Sequence, residues 1–210
     1  MVHSGRLFDA DGPVAGINAV IVVPLHIPKA HSAWGLILQS GAVIACTVGV
    51  PLTTLLRSEL GLSATQLRPV DVLLLNGMPV DDPDKAVVPD DARLALAAGL
   101  PGIAGLAMKS GSAVRALRSG ITHTRGEEAN PHPGAILLSL YSLVLPLLAG
   151  HFLQRGIMVE VAQILRYARF APEDRCLFDG APIVARNLSQ TFGHMPGNAP
   201  ILLTIDALCP

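Results

Sequence analysis

Few residues in this chain have both the type and the spacing that chemistry requires. The densest group lies in residues 100–125, LPGIAGLAMKSGSAVRALRSGITHTR, where Gly and Ser accompany Lys109, Arg115, Arg118 and Arg125. Backbone N–H groups at a Gly/Ser turn entering a helix, with cations nearby, are the ingredients of an anion site. Lys109, Ser110, Gly111, Arg115 and Arg118 are therefore the candidate anion-binding residues. The stretch matches no phosphate-loop motif. The plainer reading is an interdomain linker with one short amphipathic helix at 113–117.

The other reactive side chains carry less. His123 and His132 flank a polar linker, GEEANPHPG, that also holds Glu127 and Glu128. No histidine pair has the spacing that puts two imidazoles on one helix face, so a solvated linker is expected there and no metal site. His151 and His194 each follow a glycine and are expected at the surface or at caps. The acid pairs Asp81-Asp82 and Asp90-Asp91 suit turns; acid–base catalysis needs carboxylates that face one another across a cleft. No GxSxG nucleophile elbow occurs. Cys46, Cys176 and Cys209 are odd in number and widely spaced, and two sit in apolar runs where an inert buried thiol is the usual case. No catalytic residue and no cofactor is expected.

Composition bounds the rest. The chain has 210 residues, 50% of them hydrophobic and 15% charged, with a formal net charge of −1; its mean hydropathy is +0.49. That is ample apolar material for two domains of about 80–100 residues. So thin a polar surface fits two readings equally: a compact domain pair with well-filled cores, or apolar surface covered by a partner protein or by a second copy of the chain, as a homodimer. The charge argues against nucleic acid, and aromatics, at 4%, are too scarce for base stacking. The longest apolar run, residues 135–150, is short for a membrane span and holds Pro146. The first 13 residues carry Asp9 and Asp11 where a signal peptide wants positive charge. A cytoplasmic protein with no membrane contact is expected.

The elements that must position these residues show a repeat. LLLNGMPV at 73–80 and CLFDGAPI at 176–183 both run from apolar residues into Asn-Gly or Asp-Gly, then Pro and a β-branched residue. Both dipeptides tolerate φ > 0 and are strong hairpin signals. Upstream of each lies a helical stripe: Leu52, Leu55, Leu56 and Leu60 in the first, Val161, Ile164, Leu165 and Ala168 in the second. Downstream come two closing strands, at 92–99 and 200–208. A hairpin is expected ahead of the first helix, from strands at 34–39 and 43–48 joined through Ser40-Gly41. In the second copy, residues 143–155 suit an inserted helix, with only 157–159 left as a second strand, and periodicity alone does not decide it. An added strand is expected at 17–25.

Hairpin, helix, strand, turn and strand is the order of the β-grasp fold. LLLNGMPVDDPDKAVVPDDARLALAAG resembles the back half of a ubiquitin-like domain and is similar to the sulfur-carrier proteins of thiamine and molybdopterin synthesis. The resemblance covers residues 32–105 and, less fully, 135–208. It implies an α+β fold of tandem β-grasp modules. The expected organisation is an N-terminal extension at 1–31, a first module at 32–106, a helix and polar linker at 107–134, and a second module at 135–210 with an altered front half. Sulfur carriers work through a free C-terminal Gly-Gly. This chain ends Leu208-Cys209-Pro210, and Gly99, Gly102 and Gly105 are internal, so that activity is not carried over. Two functions remain in view. One is a non-catalytic ubiquitin-like interaction protein that binds through a sheet face or a strand edge. The other is a small-molecule or anion-binding protein, or an enzyme, with its site between the modules.

Overall fold

The computed structural model describes residues 23–99 and 129–209. The first run of elements is β1 (Val23–His31), a 3-10 helix (Ser32–Gln39), β2 (Ala42–Val48), β3 (Val50–Pro51), an α turn (Leu52–Thr54) that continues as a π segment (Leu55–Glu59), a short helix (Ala64–Leu67), β4 (Val72–Leu75), β5 (Met78–Pro79), β6 (Val87–Val88) and β7 (Ala92–Ala98). The second run is β8 (His132–Ser142), the long helix Val144–Arg155, β9 (Ile157–Glu160), the helix Val161–Ala168, β10 (Arg175–Phe178), β11 (Ala181–Val184), two short helical turns (Ala185–Asn187 and Leu188–Thr191) and β12 (Pro200–Cys209). The class is α+β, built on one large mixed sheet.

That sheet has ten strands in the order β11-β10-β1-β12-β9-β2-β8-β7-β4-β5, and β3 pairs with β6 separately. Two parallel pairs lie inside it. In one, β7 runs beside β8 from Ala92↔Ile136 to Ala98↔Ser142. In the other, β1 runs beside β12 from Val23↔Ile201 to His31↔Cys209. Both join opposite ends of the chain's two runs. β8 also pairs with β2, and β1 also pairs with β10, so the opening strand of each run is seated among strands of the other. A boundary between 134 and 135 falls inside β8. At the middle of the sheet β2 and β9 pair at one antiparallel position, Val43↔Met158.

Local chemistry explains most elements. Asn76 (φ 52°) and Gly77 (φ 81°) turn β4 into β5, and Asp179 (φ 49°) and Gly180 (φ 78°) turn β10 into β11. Two consecutive positive φ values are what a two-residue hairpin with native twist demands. Ser63 and Gln66 close a capping box on the short helix, and Glu160 and Gln163 do the same for the helix Val161–Ala168, which satisfies N–H groups that would otherwise lack partners.

The expected front hairpin is corrected. Residues 34–39 are not a strand but part of the 3-10 helix Ser32–Gln39. Trp34, Ile37 and Leu38 are fully buried, a helical spacing that a continuous apolar run hides. His31 Nδ1 accepts the Ala33 N–H at 3.1 Å and starts that helix. Gly41, at φ 91°, redirects the chain into β2. β2 instead pairs antiparallel along its length with β8, some ninety residues downstream. Residues Val144–Arg155, which periodicity leaves open, form a helix that ends at Gly156 with φ 92°. The N-terminal strand occupies Val23–His31; the earlier part of the 17–25 expectation lies outside the described residues.

The core lies on one face of the sheet. Alternate strand residues such as Leu25, Ile27, Ile44, Leu138, Leu203 and Ile205 join Trp34, Ile37, Leu55, Phe152, Ile164 and Phe192 from the helical segments in a single cluster. The intervening strand residues point the other way. Of these, Ala135 and Met158 are buried apart from the core, with Val43 packed against them. Long-range capping ties the layers together. His151 Nε2 donates to Leu60 O at 2.7 Å and Arg155 Nη1 to Glu59 O at 2.6 Å, so the long helix of the second run supplies donors where the π segment of the first run ends.

Candidate functional site

The residues proposed from sequence for an anion site, Lys109, Ser110, Gly111, Arg115 and Arg118, lie outside the described residues, as do His123, Glu127 and Glu128. Several of the remaining sequence candidates have structural partners. Asp82 forms an ion pair with Lys85 at 2.6 Å, and the hydrogen bond from Lys85 holds its carboxyl below the usual range. Asp90 Oδ1 accepts the Ala135 N–H at 2.9 Å, and Asp91 occupies a turn at φ 55°. His132 Nδ1 donates to Asn130 O at 2.7 Å. Burial pushes the Cys46 thiol up to about 11, with Arg155 pulling the other way. It pushes Cys176 up to about 12. Both thiols stay protonated at neutral pH, and only a thiolate is a competent nucleophile or ligand. Among the described residues no group of three or more His, Cys, Asp or Glu side chains is placed to hold a metal ion. Among the same residues no helix is long and apolar enough to cross a membrane.

Two groupings appear that the sequence does not show. The first is a cleft of about 350 Å³ where the two runs meet. Ser40, Gly41 and Leu137 line it from one side, and Glu160, Gln163 and Arg166 from the other. Beside it, Ser40 Oγ and Tyr167 Oη share a hydrogen bond of 2.7 Å. Gln163 spans the junction: its Nε2 donates to Gly41 O at 2.8 Å and its Oε1 accepts from Glu160 N at 2.9 Å. Arg166 is exposed on the rim.

The second grouping lies on the coreless face. His26 Nδ1 is 3.0 Å from Thr204 Oγ1, and its Nε2 is 3.4 Å from Asp206 Oδ2. Hydroxyl, imidazole and carboxylate in a row resemble a nucleophilic relay. Yet the Asp206 side chain is 68% exposed, and a β-sheet face carries no pair of free backbone N–H groups to hold an oxyanion. The arrangement is therefore a polar island. Around it stand Pro24, Pro28, Leu177 and Leu202, with Leu177 36% and Leu202 37% exposed. Pro28, Leu177 and Pro182 line an apolar depression of about 500 Å³. Val43, Met158 and Leu202 line another of about 480 Å³. His26 and Thr204 are 178 positions apart, so only the parallel pairing of β1 with β12 brings them together.

The chain matches no protein-family model, no curated protein and no solved structure.

Proposed function

We propose that the chain is a non-catalytic, ubiquitin-like interaction protein made of two diverged β-grasp modules, and that its contact surface is the coreless sheet face. The duplication is supported by matching detail. Both runs contain strand, helix, strand, helix, strand, two-residue turn, strand and a closing strand, with β3, the helix Ala64–Leu67 and β6 added in the first run and two short helical turns added before the closing strand of the second. Leu38-Gln39-Ser40-Gly41 and Leu153-Gln154-Arg155-Gly156 close the first helix of each run, with Gly41 at φ 91° and Gly156 at φ 92°.

One observation carries the functional reading: the described helices pack on one side of the sheet, leaving Leu177 and Leu202 on the other. The occupant we propose is a second copy of this chain. The face and its depressions hold Arg93, Arg155 and Arg175 with Glu160 and Asp206, a mixed set of both signs that suits an isologous contact. Ten strands about 4.8 Å apart and roughly five residues tall span on the order of 700 Å², close to the ~800 Å² per partner of a standard interface. Sedimentation is then expected to give twice the 21.9 kDa chain mass. The double variant Leu177→Glu/Leu202→Glu is expected to sediment as a monomer with its melting curve unchanged. A parent protein that is monomeric at every concentration sinks this reading.

The cleft supports a second reading, a small-molecule or anion-binding protein. A cavity of about 350 Å³ with Ser40, Glu160 and Arg166 at its walls suits a small polar ligand. Thermal-shift screening of small carboxylates and phosphate, with Arg166→Ala as control, tests it; no shift that depends on Arg166 dismisses it.

A further inference from the structure

The two depressions that meet at Val43 and Met158 are built alike. These residues are the one pairing position of β2 with β9, and both line both depressions. In the cleft, Gly41 at φ 91° stands two residues before Val43, whose ladder partner is Leu137. In the other depression, Gly156 at φ 92° stands two residues before Met158, whose ladder partner is Leu202. The residue ahead of each glycine sets them apart. Arg155 lines the second depression, and its guanidinium is already engaged, with Glu59 O at 2.6 Å and Ala45 O at 3.5 Å. In the cleft the far smaller Ser40 holds that place.

The cleft also has charges of both signs. Glu160 caps the helix Val161–Ala168, and Arg166 lies in its last turn. Steps of three residues, from Glu160 through Gln163 to Arg166, keep all three on the side of the helix that lines the cleft. A carboxylate has roughly four acceptor positions, so capping leaves Glu160 able to accept more. Among the described residues neither Glu160 nor Arg166 forms an ion pair. Ser40 Oγ and Tyr167 Oη share one hydrogen bond, so one of the two O–H groups is left to donate. Val43, Leu137 and Met158 make the rest of the wall apolar.

We infer that the cleft binds a small zwitterion, an α-amino acid with an apolar side chain. Its ammonium group meets Glu160, its carboxylate meets Arg166 and the remaining O–H, and its side chain lies over Val43, Leu137 and Met158. The inference deepens the small-molecule reading of the cleft and rests on it. A plain anion would meet Glu160 as a like charge, and a plain cation would meet Arg166 so; a ligand with one charge of each sign satisfies both. A volume of about 350 Å³ is at the small end of ligand sites and admits a single amino acid.

Calorimetric titration of the full chain with L-leucine, leucinamide and isocaproate tests it, since each analogue lacks one of the two charges. L-leucine is expected to bind at least about tenfold tighter than either analogue. Arg166→Ala is expected to erase the preference over leucinamide. Glu160→Gln, which keeps an oxygen for the helix cap, is expected to erase the preference over isocaproate. Circular dichroism reports the fold of each variant, and the comparison of the three compounds on the parent stands even where a variant fails to fold. Isocaproate that binds as tightly as L-leucine, in a way that needs Arg166, overturns the inference and leaves the small-molecule reading in place. Leucine binding that both folded variants retain unchanged puts the ligand elsewhere and overturns the inference too. No binding of any of the three compounds, or of phosphate, overturns both.

Discussion

At the residue scale, the side chains with chemical potential are mostly held by structure. Asp174 Oδ2 accepts from His31 N at 2.7 Å and from Trp34 Nε1 at 2.9 Å, binding β1 and the buried Trp34 to the loop before β10. Cys46 and Cys176 show how burial fixes reactivity. Their thiols sit near 11 and 12, against a usual value of 9.0. The folded state therefore holds protons that the unfolded chain releases between about pH 9 and 12, so stability contributed by these thiols is present below pH 9 and lost above it. Urea midpoints are expected to fall from pH 9 upward, and Cys176→Ala is expected to flatten that fall. Labelling by a disulfide reagent at pH 8 is expected to be slow until the protein unfolds. Fast labelling of Cys176 in the folded state would contradict its burial.

At the element scale, turns and caps set where strands begin. Gly77 and Gly41 separate two causes of cost. Gly77, at φ 81°, has open space where a Cβ would stand. Gly77→Ala is expected to cost about 1–2 kcal/mol, from the left-handed backbone alone. Gly41, at φ 91°, would put a Cβ 3.1 Å from Leu137 Cδ1 and 3.4 Å from Ser139 Oγ. Gly41→Ala is therefore expected to cost more than Gly77→Ala in denaturant unfolding, and equal costs would count against the packing described around β2 and β8. The two hairpins, the helices at 52–59 and 161–168 and the closing strands are legible in the sequence because each rests on residues within one turn of each other. The 3-10 helix at Ser32–Gln39 is not, since SAWGLILQ is apolar enough for either period and only its buried contacts with the long helix select one.

At the scale of the whole molecule, the exchange of β1 and β8 makes the two runs interdependent. β8 sits between β2 and β7, and β1 between β10 and β12, so neither run can complete its half of the sheet alone. Separately expressed fragments 1–106 and 107–210 are expected to lack dispersed amide resonances, and mixing them is expected to restore the spectrum of the intact chain. A dispersed spectrum from either fragment alone would show that its run is self-sufficient. Intact protein is expected to unfold in one transition, because one core runs through both halves. The sequence by itself determined the hairpin turns and the helical stripes, since turn chemistry and periodicity act over a few residues. Tertiary structure alone decided the partners of β1, β2 and β8, the cleft at Ser40 and Glu160, and the His26–Thr204–Asp206 island. Strand neighbours are chosen by packing among segments a hundred residues apart, which no local pattern encodes.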